Sequence, residues 1–179
     1  GVTFGNDPDM SARVVAACRK VTKKPLITKL SPNQTSIQDN ARRCIEAGTD
    51  AFAVINTLMG MAVDVRTRTA MIGNRQGGLS GPAIKPIALR CVYQVACAVS
   101  TPLIGIGGIA TIDDVMEFLV AGASAVQIGT ANYVDPQVST RLIGQLPAAL
   151  AEIHATSVRE VIGRLRGNAA TGGSVTPKK

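Results

Sequence analysis

Four short apolar runs in this chain of 179 residues each end in a polar or glycine-rich turn, and those turns hold its best candidates for chemistry. Lys29 interrupts the run Leu26-Ile-Thr-Lys-Leu30. A lysine among apolar neighbours is costly to bury unless it meets an anion or an acceptor, or snorkels to the rim. Asn56 and Thr57 close the run Ala51-Phe-Ala-Val-Ile-Asn-Thr57. The asparagine amide offers a donor and an acceptor side by side, which suits a planar, amide-bearing ligand such as a pyrimidine. Its competing role is that of a turn residue bonded to its own backbone.

Two glycine turns are more specific. Gly107-Gly108 follows Pro102-Leu-Ile-Gly-Ile106, and Gly129-Thr130 follows Ala125-Val-Gln-Ile128. Each lies between an apolar run and a helical pattern. Glycines let the backbone come close to a ligand, and exposed amides at such turns bind anions. Two of these turns in succession point to a phosphate-bearing ligand. Gly77-Gly-Leu-Ser-Gly-Pro82 offers further amides and Ser80, or simply a flexible helix entry.

The elements that must position these groups alternate steadily. Asp7-Pro8-Asp9 starts a helix whose apolar face holds Val14, Val15, Cys18 and Val21. A strand over 26–30 follows. Thr35 or Ser36 caps a helix to about Ala47, with Ala41, Cys44 and Ile45 inward and Gly48 as its C-cap. The strand 51–57 leads into a long insertion. Ala62–Val65 and Ala70–Ile72 form a hairpin there, around Arg66-Thr-Arg-Thr69. Such an insertion is either a lid or a decorative loop. Gly81-Pro82 opens a helix that buries Ala88, Leu89, Val92, Val95 and Ala96. The strand 102–107 precedes a helix from Thr111 and Asp113-Asp114 to Gly122. The strand 125–130 precedes a helix from Asp135-Pro136 to about Ile153. Residues 156–164 suit a short terminal helix, and 167–179 a flexible tail.

This alternation implies right-handed βαβ units and a parallel sheet. The fold class is α/β. About four βα units make half of a (β/α)8 barrel, which usually needs about 250 residues. A small doubly wound sheet is the other arrangement. Chemistry gathered at strand ends favours the barrel, whose sites lie at the carboxyl face.

Composition agrees. The chain is 46% hydrophobic but only 3% aromatic, so its core is built from Val, Ile, Leu and Ala. The net charge of +7 is concentrated in local clusters such as Arg19, Lys20, Lys23 and Lys24. No nucleic-acid module accompanies them. Cys18, Cys44, Cys91 and Cys97 lack zinc-site spacing and read as buried free thiols of a reducing cytoplasm. No signal or membrane-spanning run is visible. A first residue of Gly rather than Met reads as a processed, tagged or truncated chain.

Ile27-Thr-Lys-Leu-Ser-Pro-Asn33, Ile55-Asn-Thr-Leu-Met-Gly60, Gly77-Gly-Leu-Ser-Gly-Pro-Ala-Ile-Lys-Pro86, Ile104-Gly-Ile-Gly-Gly108 and Ile128-Gly-Thr-Ala-Asn132 occur in order. With these motifs the chain resembles the C-terminal half of the dihydroorotate dehydrogenases, class 1B catalytic subunit type. The resemblance runs from about Gly1 to residue 155, with 156–179 outside it. It implies an FMN-containing barrel that oxidises dihydroorotate to orotate in pyrimidine biosynthesis. It implies that Lys29 contacts the flavin ring and that Ile55 and Gly81 line the FMN site. Gly107, Gly108, Gly129 and Thr130 would cradle the FMN phosphate, and Asn56 and Thr57 would bind the pyrimidine. It also implies an iron–sulfur, FAD-bearing electron-transfer subunit, NAD as acceptor, and an oligomer.

One departure is severe. The family's catalytic base is a cysteine in an Asn-x-Ser-Cys-Pro-Asn motif, expected upstream of Gly1 and found nowhere in this chain. No catalytic residue is therefore assigned here, and the isolated fragment is expected to be inactive. A half barrel would also expose two strand edges, inviting self-association or pairing with a missing half. Two other readings stay open: a barrel like that of the dihydropyrimidine dehydrogenases, and a non-catalytic phosphate-binding scaffold.

Overall fold

The computed structural model describes residues 4–166. The expected tail at 167–179 lies outside the described residues. Four parallel strands form the main sheet: β1 (Ile27–Leu30), β2 (Ala51–Val54), β7 (Leu103–Ile106) and β8 (Ala125–Gln127), in the order β1-β2-β7-β8. Helices α1 (Pro8–Val21), α2 (Ile37–Glu46), α3 (Lys85–Ala98) and α4 (Ile112–Ala121) alternate with them, and α6 (Val138–Glu152) follows β8. The strands thus keep their chain order across the sheet, as successive βα units of a barrel do.

Local chemistry explains the helix starts. The Asp7 carboxylate accepts from the Met10 amide at 2.7 Å, with Pro8 at the first helical position. The Ser36 hydroxyl accepts from the Asp39 amide at 3.3 Å. Thr111 and Asp114 form a reciprocal capping box. Helix α2 ends at Glu46 with Ala47 as its C-cap, and Gly48 stands one residue beyond the cap with φ +104°, the usual seat of a terminating glycine.

The core lies between the sheet and its helices. Phe52, Leu30, Val54 and Leu103 meet Ala88, Val92, Val95 and Phe118, all buried. Cutting Phe52 or Phe118 back to alanine costs about 3–5 kcal/mol in such a setting. Arg19, part of the early basic cluster, is a structural cation. It donates to the carbonyls of Gly48 (2.9 Å) and Lys24 (3.2 Å) and pairs with Asp50, tying α1 to the turn before β2.

Several expectations are corrected. The strands end earlier than their apolar runs, so Ile55–Thr57 and Ile128–Thr130 are loop rather than strand. On α1 only Val15 is buried; Val14, Val21 and Cys18 are exposed, because α1 packs mainly on α2. All four cysteines are free, with Cys44 and Cys91 buried. The third helix opens as a 3-10 turn at Pro82–Ile84 before α3 begins. The terminal helix expected at 156–164 is only a 3-10 turn, Val158–Glu160. Its carboxylate turns back on Thr156, accepting from that amide and hydroxyl at 3.1 and 2.6 Å. Beyond it Val161 is buried, and the Gly163 amide donates to the Leu119 carbonyl at 3.0 Å.

The hairpin in the insertion is present: β4 (Val63–Asp64) pairs antiparallel with β5 (Thr69–Ala70). A second ribbon had no local signal. Here β3 (Leu58–Gly60) pairs with β6 (Gly77–Leu79), which brings the far end of the insertion back onto its start.

Candidate functional site

The carboxyl ends of the four parallel strands open into one cavity of about 490 Å3. That volume lies in the range typical of small-molecule sites. Lys29, Ile55, Asn56, Thr57, Gly81, Gly107, Gly108, Gly129 and Thr130 all line it. The sequence-predicted residues, spread over a hundred positions, are brought together without exception.

Each wall follows from strand geometry. Leu30 is buried in the sheet–helix core, so alternation along β1 turns Lys29 to the opposite face. Lys29 is half-buried and, among the described residues, makes no ion pair or hydrogen bond. It brings an uncompensated positive charge to the cavity.

Asn56 is anchored through its backbone, its amide donating to the Leu30 carbonyl at 2.8 Å. Among the described residues the side chains of Asn56 and Thr57 make no hydrogen bond, so both are available to a ligand. The competing role for Asn56, a turn residue bonded to its own backbone, is not what the side chain does.

Beyond β7, Gly107 and Gly108 have φ +137° and +77°. A Cβ on Gly108 would stand 2.8 Å from the Gly81 carbonyl oxygen and 2.9 Å from Lys85 Cβ. This turn therefore requires glycine by conformation and by space. Among the described residues the amides of Gly107, Gly108, Gly129 and Thr130 donate no hydrogen bond. A Cβ on Gly129 would meet nothing within 4 Å. Bare amides beside open volume are the donor set an anion such as a phosphate needs.

A buried acid holds this turn in shape. Asp114 Oδ2 accepts from the Ala110 and Thr111 amides at 2.9 and 2.8 Å, and Oδ1 receives Lys85 Nζ at 2.6 Å. Lys85 also meets Glu117 at 2.9 Å. Burial pushes the Asp114 carboxyl up, but the hydrogen bonds from Lys85, Ala110 and Thr111 outweigh it and hold the group below the usual carboxylate range.

Other lining residues escaped the sequence reading. Ile84, Ile106 and Ile109 supply apolar wall. Tyr133 stands on α5 (Ala131–Val134), a short helix with no signal of its own. Asp135 and Arg141 form an ion pair of 2.9 Å at the cavity, and the guanidinium holds the Asp135 carboxyl below its usual range. Asp135 was legible only as a helix start. Ser80 does line the cavity, and it accepts a hydrogen bond from Thr130 at 2.9 Å. None of the four cysteines lines the cavity.

The family model described as Dihydroorotate dehydrogenase matches residues 1–150. A dihydroorotate dehydrogenase B (NAD(+)) catalytic subunit of Pelobacter propionicus is 52% identical over 165 residues, 92% of this chain and 54% of its own length. The corresponding subunit of Trichlorobacter lovleyi is 52% identical over 167 residues, 93% of this chain and 55% of its own. The chain thus spans about half the length of the curated relatives it matches. A crystal structure of the Eimeria tenella DHODH in complex with ferulenol aligns with a TM-score of 0.73 at 25% identity, covering 89% of this chain and 49% of that one.

Proposed function

The chain belongs to the dihydroorotate dehydrogenase family, and from that premise we propose that it is the FMN-cradling half of a catalytic subunit that oxidises dihydroorotate to orotate in pyrimidine biosynthesis. One observation carries the reading: Lys29, the Asn56–Thr57 pair and both glycine turns line a single cavity.

The donor set fits FMN. The amides of Gly107, Gly108, Gly129 and Thr130 donate to nothing else among the described residues and would hold the phosphate, with open volume beside Gly129 to admit it. Ile55 and Gly81 line the same cavity and would form part of the FMN wall. Lys29 would meet the flavin ring, where a cation would stabilise negative charge. Bound FMN supplies the hydride acceptor. Asn56 and Thr57 orient the pyrimidine through donor and acceptor atoms that nothing else uses. Ile84, Ile106 and Ile109 give the cavity an apolar wall.

Proton abstraction is outside this chain's means. Cys44 and Cys91 are buried, and burial pushes the Cys44 thiol up to about 11. The base belongs to an Asn-x-Ser-Cys-Pro-Asn segment elsewhere in the enzyme, so this chain alone turns over no dihydroorotate. The same reading supplies an iron–sulfur, FAD-bearing partner subunit, NAD as terminal acceptor, and an oligomeric assembly in the cytoplasm. The relatives' description as an NAD(+)-type catalytic subunit supports the partner and the acceptor. Four free thiols support a reducing compartment. No described helix is long and apolar enough to cross a membrane.

The test is turnover by a full-length catalytic subunit carrying this segment. Dihydroorotate-dependent bleaching of bound FMN is the expected result. A subunit that holds FMN but is reduced only by other pyrimidines would contradict the orotate assignment, and one that holds no flavin would leave a phosphate-binding scaffold.

A further inference from the structure

Thr57 is held from two directions by residues that line no part of the cavity. Asn33, in the loop after β1, spans the start of the insertion with both ends of its amide. Its Nδ2 donates to the Thr57 carbonyl at 3.0 Å, and its Oδ1 accepts from the Met59 amide at 2.9 Å. Asn33 is itself braced by Ser31, whose Oγ accepts from the Asn33 backbone amide at 3.2 Å and from Nδ2 at 3.3 Å. On the opposite side, β6 presses its backbone against the Thr57 side chain. A Cβ at Gly78 would stand 2.3 Å from Thr57 Oγ1 and 2.7 Å from its Cβ. Gly78 pairs with Met59 in the β3–β6 ribbon, so the residue that Asn33 grips is also the partner of the residue that confines Thr57.

We infer that Asn33 and Gly78 are positioning residues that clamp Thr57, and with it Asn56, in the orientation that reads the pyrimidine. The inference rests on the functional reading above. A side-chain amide is suited to this task because its separate donor and acceptor atoms satisfy one carbonyl and one amide two residues apart, whereas a carboxylate only accepts. The clamp also gives the insertion a function. Its returning strand, with no side chain at 78, sets the position of the substrate-binding threonine. A site built on loop residues needs such support, because misplacing a hydrogen-bonding group by about 1 Å costs on the order of a hundredfold in rate.

The test uses the full-length FMN-loaded catalytic subunit carrying this segment. Orotate affinity is read from the flavin absorbance change, and kcat and KM for dihydroorotate are measured beside it. Asn33→Ala is expected to weaken orotate and raise KM about tenfold, with FMN occupancy unchanged. Asn33→Asp keeps the acceptor for Met59 but sets a carboxylate oxygen against the Thr57 carbonyl, and is expected to weaken orotate at least as much as Asn33→Ala. Gly78→Ala reaches Thr57 from the other side without touching Asn33, and carries the test if Asn33→Ala fails to fold. Wild-type orotate binding in both Asn33→Ala and Gly78→Ala overturns the clamp, and so does a parallel loss of FMN, which would mark a general structural role. Wild-type subunit that holds FMN but binds no orotate overturns the functional reading itself, and the clamp with it.

Discussion

Lys85 Nζ and Asp114 Oδ1 meet at 2.6 Å across the gap between α3 and α4, directly beneath the Gly107–Gly108 turn. The contact joins the first residue of one helix to the capping acid of the next. Removing Asp114 leaves the Ala110 and Thr111 amides without their acceptor and Lys85 with Glu117 alone, and each buried group left unsatisfied costs about 1–3 kcal/mol. Asp114→Ala in the full-length subunit is expected to lose about 3 kcal/mol in urea unfolding, and to release FMN as the turn loosens. Lys85→Met loses less, since Asp114 keeps its two backbone donors.

The pair also gives stability a pH signature. Asp114 titrates below its ordinary value of 3.8 in the folded chain, despite the upward push of burial. Lys85 titrates above 10.5, chiefly through its hydrogen bonds to Asp114 and Glu117. The depressed carboxyl contributes stability above pH 3.8 that is lost as the pH falls through the folded value. The raised ammonium contributes below pH 10.5 and is lost as the pH climbs through its own folded value. The stability gap between wild type and Asp114→Asn should therefore be widest between these limits and narrow at both extremes. A gap that is constant with pH would contradict the pairing.

Gly108→Ala and Gly129→Ala separate folding from binding. At 108 the new methyl meets backbone and a positive φ, so a loss of about 2–3 kcal/mol in stability is expected. At 129 nothing lies within 4 Å, so stability should change by less than about 0.5 kcal/mol while the methyl enters the open volume proposed for the phosphate. Thermal melts and FMN titration of the two variants side by side check this contrast.

How far the site was legible follows from which signals are local. Lys29, Asn56, Thr57 and the glycine turns announce themselves by interrupting or ending apolar runs, and all of them reach the cavity. The Lys85–Asp114 contact joins residues far apart in the chain, and nothing in the local pattern couples them. The β3–β6 ribbon was hidden because Gly77-Gly78 has low strand propensity and earns its hydrogen bonds only through a partner across the insertion. Nothing in the local pattern singles out Arg141, which reaches the cavity only through its pairing with Asp135. The failed terminal helix at 156–164 had the composition for one, but Glu160 is engaged by Thr156 and Ser157 instead.

The cysteines offer an independent check on burial. Cys18 is exposed, while Cys44 and Cys91 are buried and desolvation raises both thiols. A thiol reagent at neutral pH should label Cys18 within minutes and Cys44 and Cys91 only after denaturant is added. Labelling of Cys44 in the native subunit would contradict the packing of α2.

Lys29 tests the electronic role of the cavity. Lys29→Met removes a half-buried charge without a carboxylate partner, so the fold should keep its stability within about 0.5 kcal/mol. Flavin bound by that variant is expected to have a lower reduction potential and slower reduction by dihydroorotate. An unchanged potential would remove Lys29 from the flavin ring.

The central claim is that the two glycine turns hold a phosphate. Titrating the full-length subunit carrying this segment with FMN and with riboflavin, which lacks only the phosphate, measures that directly. Four free amides meeting a dianion predict FMN binding at least about a hundredfold tighter than riboflavin, with the preference sharply reduced in Gly129→Ala. Equal affinity for the two flavins would contradict the account.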